Sequence, residues 1–233
     1  MNKLTIIVPV YNETRTICDI LDKISKIKID KQIIVVDDCS TDGSKEKILS
    51  KKSIIDKLLF HEKNLGKGAA IRSAQKYING DYIIIQDADL EYDPNDYYSL
   101  LEKISKDNLK VIYGSRVLKH KSKEKIQNFS HAFRIFANQV LTFLNNIINK
   151  KKLTDAHTCY KVFDTKLFKS IKLEENGFAF CPEITTKISL MGYKIQEIPI
   201  TYNGRTYKEG KKIKIKHGFE AINCLIKYRY FKS

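Results

Sequence analysis

Two rhythms of apolar and polar positions alternate along the first half of the chain. Leu4 to Val10, Gln32 to Val36, Leu58 to Phe60 and the run from Tyr82 to Ile85 are short and rich in β-branched residues, the pattern of buried strands. Between them the spacing turns helical. Ile17, Ile20, Leu21, Ile24 and Ile27 fall three and four apart within Thr14 to Ile27. A second helix is predicted from near Ser44, after the capping cluster Asp37 to Ser44, and a third from Ala69 to Tyr77. Strand and helix alternating at this pitch predict βαβ units: an α/β chain with a mainly parallel sheet and helices on both faces. Such sheets bind ligands outside the carboxyl ends of their strands. Tyr11-Asn12-Glu13, Asp37-Asp38 and Asp87-Ala88-Asp89 all fall there, so three polar clusters are expected to converge on one crevice.

The second half reads less regularly. A strand is predicted from Lys110 to Tyr113, followed by Gly114-Ser115-Arg116 and a basic loop through Lys125. Phe129 to Ile148 reads as a long helix with apolar residues on more than one face, the pattern of a core or membrane-interfacial helix. A helix running to about Met191, a strand from Ile195 to Tyr202, a mobile basic loop from Gly204 to Lys212 and a terminal amphipathic helix from Phe219 to Phe231 complete the pattern. There is no internal repeat, low-complexity tract or long linker, so one domain is expected, built in two halves, 1–115 and 116–233.

The stretch Tyr82 to Glu91 carries the most chemistry. Its strand runs into Asp87, Asp89 and Glu91 at i, i+2 and i+4, which an extended chain would place on one side. Three clustered carboxylates repel, so something positive is expected among them. All-oxygen donors suit a hard cation, Mg²⁺ or Mn²⁺. The competing reading is a solvated acidic loop after a core strand. Asn64-Leu65-Gly66-Lys67-Gly68 offers two glycines before a helix N-terminus, which would suit phosphate, but it has neither Walker A nor dinucleotide-binding spacing. Alone, it reads as a turn.

Charge sharpens the picture. The net charge is +15, yet residues 1–100 sum to −1 and residues 101–233 to +16. Residues 110–152 carry +9 and residues 205–233 carry +7. An anionic partner of the second half is implied: nucleic acid, an anionic membrane surface or a phosphorylated substrate. A nucleic-acid-binding module is disfavoured, since no such motif is present and few aromatics interleave the basic stretches. The five cysteines are scattered, with no CxxC pair, which argues against a zinc site or disulfide framework and fits a reducing cytosol. The N-terminal apolar run is too short for a signal peptide, and no stretch approaches the roughly 18 apolar residues of a membrane span.

Taken in order, the motifs resemble those of family 2 glycosyltransferases of the GT-A fold, in the branch that includes dolichyl- and polyprenyl-phosphate mannosyl- and glucosyltransferases. Pro9-Val10-Tyr11-Asn12-Glu13, Val36-Asp37-Asp38, Asn64 to Ala69 and Gln86 to Leu90 are similar to the nucleotide-sugar half. Gly114-Ser115-Arg116, Asp155 to Phe163, Phe180-Cys181-Pro182-Glu183 and Glu197 to Tyr202 are similar to the acceptor half. The resemblance implies a single Rossmann-like, mainly parallel sheet with a mixed acceptor-side half. It implies that Pro9, Tyr11, Glu13, Asp37, Asp38, Lys67 and Asp87 meet the nucleotide sugar, and that Asp87, Asp89 and Glu91 hold the metal. It implies that Arg116, Arg134, Arg205 and Lys211 grip an acceptor phosphate, with Asp89, Arg116 and Arg205 closest to the chemistry.

The implied reaction is inverting transfer of a hexose from a GDP-mannose- or UDP-glucose-type donor to a lipid phosphate, by an enzyme peripheral to the inner face of a membrane. A separate membrane protein is a further partner this reading admits. A lipid monophosphate is already largely ionised, with a second pKa of about 6, so it needs cations rather than a base. A glycan hydroxyl acceptor would instead need a carboxylate base, for which Glu183 and Asp155 are the candidates. A nucleotide-sugar binder without catalysis is disfavoured by the intact carboxylate set. His61 and His157 are expected to be structural or incidental.

Overall fold

A computed structural model of the chain describes residues 2–118, 129–205 and 215–232; the side chains of 129–134 and 215 fall outside that description. The strands are β1 (Leu4–Val10), β2 (Lys31–Asp37), β3 (Lys57–Phe60), β4 (Tyr82–Ile85), β5 (Val111–Ser115), β6 (Lys161–Asp164) and β7 (Gln196–Pro199). They form one sheet in the order β3-β2-β1-β4-β6-β5-β7. Among them β6 alone runs antiparallel to its neighbours β4 and β5. The other pairings are parallel, as the βαβ rhythm predicts.

The helices are α1 (Ile17–Lys26), α2 (Ser44–Ser50), α3 (Lys67–Gln75), α4 (Asp96–Lys106), α5 (Phe129–Asn149), α6 (Thr165–Ser170), α7 (Phe180–Leu190) and α8 (Ile215–Ile226). The chain continues from α8 into a π-helical turn, Lys227–Phe231. Side chains alternate across β1, so the sheet has two buried faces. Leu4, Ile6, Val8 and Val10 pack with Ile17, Leu21 and Ile24 of α1 and with Tyr97, Leu100 and Ile104 of α4. Ile7 joins Ile34, Val36, Ile83 and Ile85 against Ala70 and Ala74 of α3 and Ile184 and Ile188 of α7. Each such buried aliphatic contributes about 1.5–3 kcal/mol, so the central strands are held from both sides.

The pattern left residues 92–109 and the antiparallel strand unassigned. The stripe that makes α4 is present as Tyr97, Leu100, Leu101 and Ile104, but it follows the turn-forming Asp93-Pro94-Asn95 and is flanked by charge.

The loop 174–177 ties the two halves together. Tyr228 and Lys227 reach the Glu175 carboxylate at 2.9 and 2.7 Å. On its other side the same loop meets the start of α3, where Ala69 N donates to Asn176 O at 3.1 Å. Gly66 and Gly68 permit that approach: a Cβ at Gly68 would lie 2.1 Å from Glu175 O, and Gly66 has φ +95°. The glycines make room for the protein's own backbone. We expect Gly68→Ala to lower the free energy of unfolding by about 1–3 kcal/mol through overpacking. Gly177→Ala, where an added Cβ meets nothing within 4 Å, should stay within about 0.5 kcal/mol of the parent. Urea unfolding of the two variants side by side checks this.

Candidate active site

Three non-glycine residues with left-handed backbone stand just beyond the ends of parallel strands: Asn12 (φ 52°) after β1, Cys39 (φ 62°) after β2 and Leu90 (φ 63°) after β4. Such conformations cost on the order of 1 kcal/mol or more and persist where surroundings over-determine them. The surroundings are polar. Asn12 N donates to Ser40 Oγ at 2.9 Å, Thr41 N to Asn12 Oδ1 at 2.8 Å, and Glu13 N to Ser44 Oγ at 2.8 Å. The exits of β1 and β2 are thereby stitched together, as the expected crevice requires.

Beyond β4 the extended reading of residues 87–91 fails, because the strand stops at Ile85 and the chain turns through Leu90. The three carboxylates stay close but face different partners. Asp87 takes the Lys67 ammonium. Asp89 Oδ2 accepts from Arg205 Nη2 at 3.0 Å. Glu91 accepts from Arg205 N at 2.8 Å and from the Tyr202 hydroxyl at 2.7 Å. A fourth carboxylate, Glu13, receives Arg205 Nη1 and Nη2 at 2.9 and 3.1 Å. The positive charge expected among the carboxylates is thus supplied by Lys67 and Arg205. Burial would raise Asp87, but the Lys67 charge beside it holds it below the usual carboxylate range. Burial, followed by the charges of Asp87 and Glu91, pushes Asp89 up to about 7.

At the exit of β2 the two aspartates differ. Asp38 is spent within the protein: Oδ1 meets His61 Nδ1 at 2.7 Å and Leu65 N at 2.8 Å, and Oδ2 accepts from Gly66 N at 2.7 Å. The amides before α3 that would suit a phosphate therefore go to a carboxylate of the chain. His61, whose other ring nitrogen lies 2.9 Å from Ser73 Oγ, is structural, as expected. Asp37 is equally buried, yet its Oδ1 has no hydrogen-bond partner among the described residues while Oδ2 takes Ser40 N at 3.3 Å. Pro9 sits half-buried within β1 and Tyr11 is exposed just past its end.

Lys67 also donates to Cys159 Sγ at 3.0 Å, a contact with no signal in the sequence.

Arg116 forks onto Asp155, with Nε to Oδ2 at 2.6 Å and Nη2 to Oδ1 at 2.7 Å. Asp155 is fully buried, and Glu197 accepts its backbone N–H at 2.9 Å. The guanidinium also lies 5.1 Å over the Tyr202 ring, whose hydroxyl holds Glu91. Arg116 is thereby joined to the carboxylate cluster through one tyrosine. The Arg134 side chain and Lys211 lie outside the described residues.

Among the described residues no three His, Cys, Asp or Glu side chains converge as a ready-made metal cage. The donor set nevertheless fits a hard divalent cation. Glu13, Asp87, Asp89 and Glu91 meet two cations among the described residues, Lys67 and Arg205, and Asp89 is raised by burial first and then by the charges of Asp87 and Glu91.

The sheet order is that of a GT-A glycosyltransferase. The sequence profile of glycosyl transferase family 2 matches residues 5–172, and the chain belongs to that family. It is similar to a dolichyl-phosphate beta-glucosyltransferase of Trichomonas vaginalis, 28% identical over 98% of this chain and 73% of that protein. It is also similar to a dolichol-phosphate mannosyltransferase of Pyrococcus furiosus, 27% identical over 99% of this chain and 64% of the relative. In fold it resembles glucosyl-3-phosphoglycerate synthase from Mycobacterium tuberculosis, solved with Mn²⁺, uridine-diphosphate and glucosyl-3-phosphoglycerate. The TM-score is 0.68 at 14% identity, over 98% of this chain and 80% of that one.

The Arg116–Asp155 pair generates a test. Burial would raise Asp155, but Arg116 draws it down to about 2, below its ordinary 3.8. A depressed carboxyl contributes stability that is present above about pH 4 and lost as pH falls toward 2. Asp155→Asn should therefore lose on the order of 2–3 kcal/mol at neutral pH. Its urea midpoint should also vary less than the parent's between pH 4 and 2.

Proposed function

We propose that this enzyme transfers a hexose, with inversion, from a GDP-mannose- or UDP-glucose-type donor to a polyprenyl or dolichyl phosphate. The observation that carries this reading is the state of the two carboxylates that a hydroxyl acceptor would need as base. Asp155 is fully buried and held by the fork of Arg116 and by Asn138. Glu183 is also fully buried; it accepts from the amides of Glu174 and Glu175 at 2.7 and 2.9 Å and from Lys187 at 2.7 Å. Neither oxygen pair is open to take a proton from a sugar. A phosphate acceptor arrives ionised and asks only for cations, and the second half of the chain is rich in them. The names of the two curated relatives support the same acceptor class.

In this reading residues 1–115 hold the donor and 116–233 the acceptor. Pro9, Tyr11, Glu13, Asp37 and Asp38 form the base and ribose site, where Asp38 fixes the Asn64–Gly68 loop. Asp87, Asp89 and Glu91 would hold Mg²⁺ or Mn²⁺. A bound divalent ion supplies charge neutralisation for the departing diphosphate. Lys67 stays at the diphosphate end through Asp87. Arg205 turns from the carboxylates to phosphate, joining Arg116, Arg134 and Lys211. Arginines suit this task because the planar fork can bond a phosphate through two N–H groups at once.

The reading also sets the enzyme at the cytoplasmic surface of an anionic membrane, alone or beside a membrane protein. Among the described residues no helix is long and apolar enough to cross a bilayer. Phe136, Val140, Phe143 and Ile147 nevertheless expose one stripe of α5, and Phe219, Ile226, Tyr230 and Phe231 are exposed on α8 and the turn after it. Lysines 150–152 and Lys216, Lys227, Arg229 and Lys232 flank these apolar positions in sequence, the composition of an interfacial anchor.

Product analysis with polyprenyl phosphate against free saccharide decides the acceptor; transfer only to saccharide would overturn the proposal. For the metal, Asp89→Asn should abolish Mn²⁺-dependent binding of UDP or GDP in calorimetry and leave the fold intact. Unchanged affinity would remove Asp89 from the metal site. On anionic vesicles, cosedimentation should fall steeply as salt rises and fall further in Phe143→Asp; equal pelleting with neutral vesicles in high salt would remove the electrostatic part.

A further inference from the structure

Gln86 lies between the apolar strand β4 and the turn that carries the carboxylates, and the proposed transfer gives it no part. Its side chain is wholly buried, where an amide is costly unless its groups are bonded. Oε1 accepts from two buried tyrosine hydroxyls, Tyr97 of α4 and Tyr160 just before β6, each at 2.5 Å. Nε2 donates to the backbone carbonyl of Asp87 at 2.9 Å. The amide cannot be turned over, because its oxygen would then face the Asp87 carbonyl, which only accepts. Two hydroxyls on one oxygen thus fix the direction of the N–H. The far end of the turn is held by the same aromatic block. Tyr160 lies 5.8 Å from Tyr97 and stacks on Tyr92 at 4.6 Å, and Tyr92 meets Tyr202 edge-on at 5.1 Å. Tyr202 bonds the Glu91 carboxylate, and Asn203 N donates to Glu91 O at 2.8 Å. Asp87, Asp89 and Glu91 therefore sit on a turn tethered at both ends to four tyrosines, and Gln86 is the tether at the Asp87 end.

We propose that Gln86 is a positioning residue for the metal site: by holding the Asp87 carbonyl it sets the plane of the Asp87–Ala88 peptide, and with it the direction in which Asp87 and Asp89 leave the chain toward a divalent cation. An aliphatic side chain of similar length would fill the same space and leave that plane unset. The two tyrosines act one step further out, by saturating Oε1 and so aiming Nε2. Groups that orient metal ligands in this way tune affinity without touching the metal. The inference rests on the metal-holding role proposed for Asp87, Asp89 and Glu91; the hydrogen bonds of Gln86 do not.

The parent chain is compared with Gln86→Met, which is close in length and volume and removes all three hydrogen bonds. Calorimetry measures the affinity for UDP and for GDP with and without Mn²⁺, and urea unfolding follows stability. Gln86→Met should bind nucleotide alone as the parent does, while the gain in affinity that Mn²⁺ brings falls about 10–100-fold. The electron paramagnetic resonance spectrum of Mn²⁺ bound with nucleotide should differ between the two, reporting altered ligand geometry. Tyr97→Phe and Tyr160→Phe each leave one hydroxyl on Oε1 and should lose less; the double variant should approach Gln86→Met, and serves in its place if the methionine variant folds poorly. A lowered urea midpoint with the Mn²⁺-dependent gain intact would show a structural role alone and overturn the proposal. Equal loss of affinity with and without Mn²⁺ would overturn it as well. Should the parent itself gain nothing from Mn²⁺, the metal reading fails and the positioning role with it, whereas a parental gain preserved in Gln86→Met removes the positioning role only.

Discussion

Four carboxylates held at the exits of the parallel strands against two cations among the described residues set the terms for the rest of the site. Glu13, Asp87, Asp89 and Glu91 are each drawn from a loop just past β1 or β4, and Lys67 and Arg205 are brought to them from α3 and from the segment after β7. A buried carboxylate without a counter-charge is costly enough to prefer its neutral form, and Asp89, raised to about 7, shows which member carries the deficit. Among the described residues one guanidinium serves three of its members. On the proposed function, a divalent cation that relieves the carboxylates would free Arg205 for phosphate.

Much of the second half exists to fix Lys67. Glu183 gathers the amides of Glu174 and Glu175, and Arg72 donates to Glu175 O at 2.6 Å. Tyr228 and Lys227 pin the Glu175 carboxylate from the far side. The loop so held presses against Gly66 and Gly68, which admit it for want of a Cβ. Asp38, braced by His61, takes the amides of Leu65 and Gly66. Lys67 begins α3 between these two clamps and has little choice of direction. On the proposed function, a charge aimed this way is preorganised for the leaving group.

The sequence disclosed what depends on period and on local chemistry. β1, β2 and β4 were legible because β-branched runs of that length have few other homes, and the converging clusters followed from parallel topology alone. Contacts between residues distant in sequence were not legible. Nothing in Cys159, Tyr202 or His61 announces a partner, and each acquires its role from a residue that the fold carries to it. The extended reading of Asp87 to Glu91 failed for a local reason, the left-handed Leu90, at a position where a bulky residue gives no warning. The glycines of the Asn64–Gly68 turn did signal close approach, but the sequence could not say of what. The backbone of Glu175 and Asn176 answers that.

The same long-range contacts bear on which acceptor the site suits. A hydroxyl must lose its proton as it attacks, so a base must stand open to it. Asp155 and Glu183 have been drawn into structural duty so completely that using either would break an anchor of the fold. With Asp155 depressed to about 2 by its arginine, the group is also a poor proton acceptor at neutral pH. An ionised phosphate meets none of these objections. Arg116 can serve it without leaving Asp155, since the fork on the carboxylate uses Nε and Nη2 and leaves Nη1 outside that pairing. On the proposed function, the pair that looks at first like a spent salt bridge would work as a mount. The buried carboxylate sets the plane of the guanidinium, and Tyr202 backs its face, so the edge beyond the fork is presented at a fixed angle beside the carboxylate cluster.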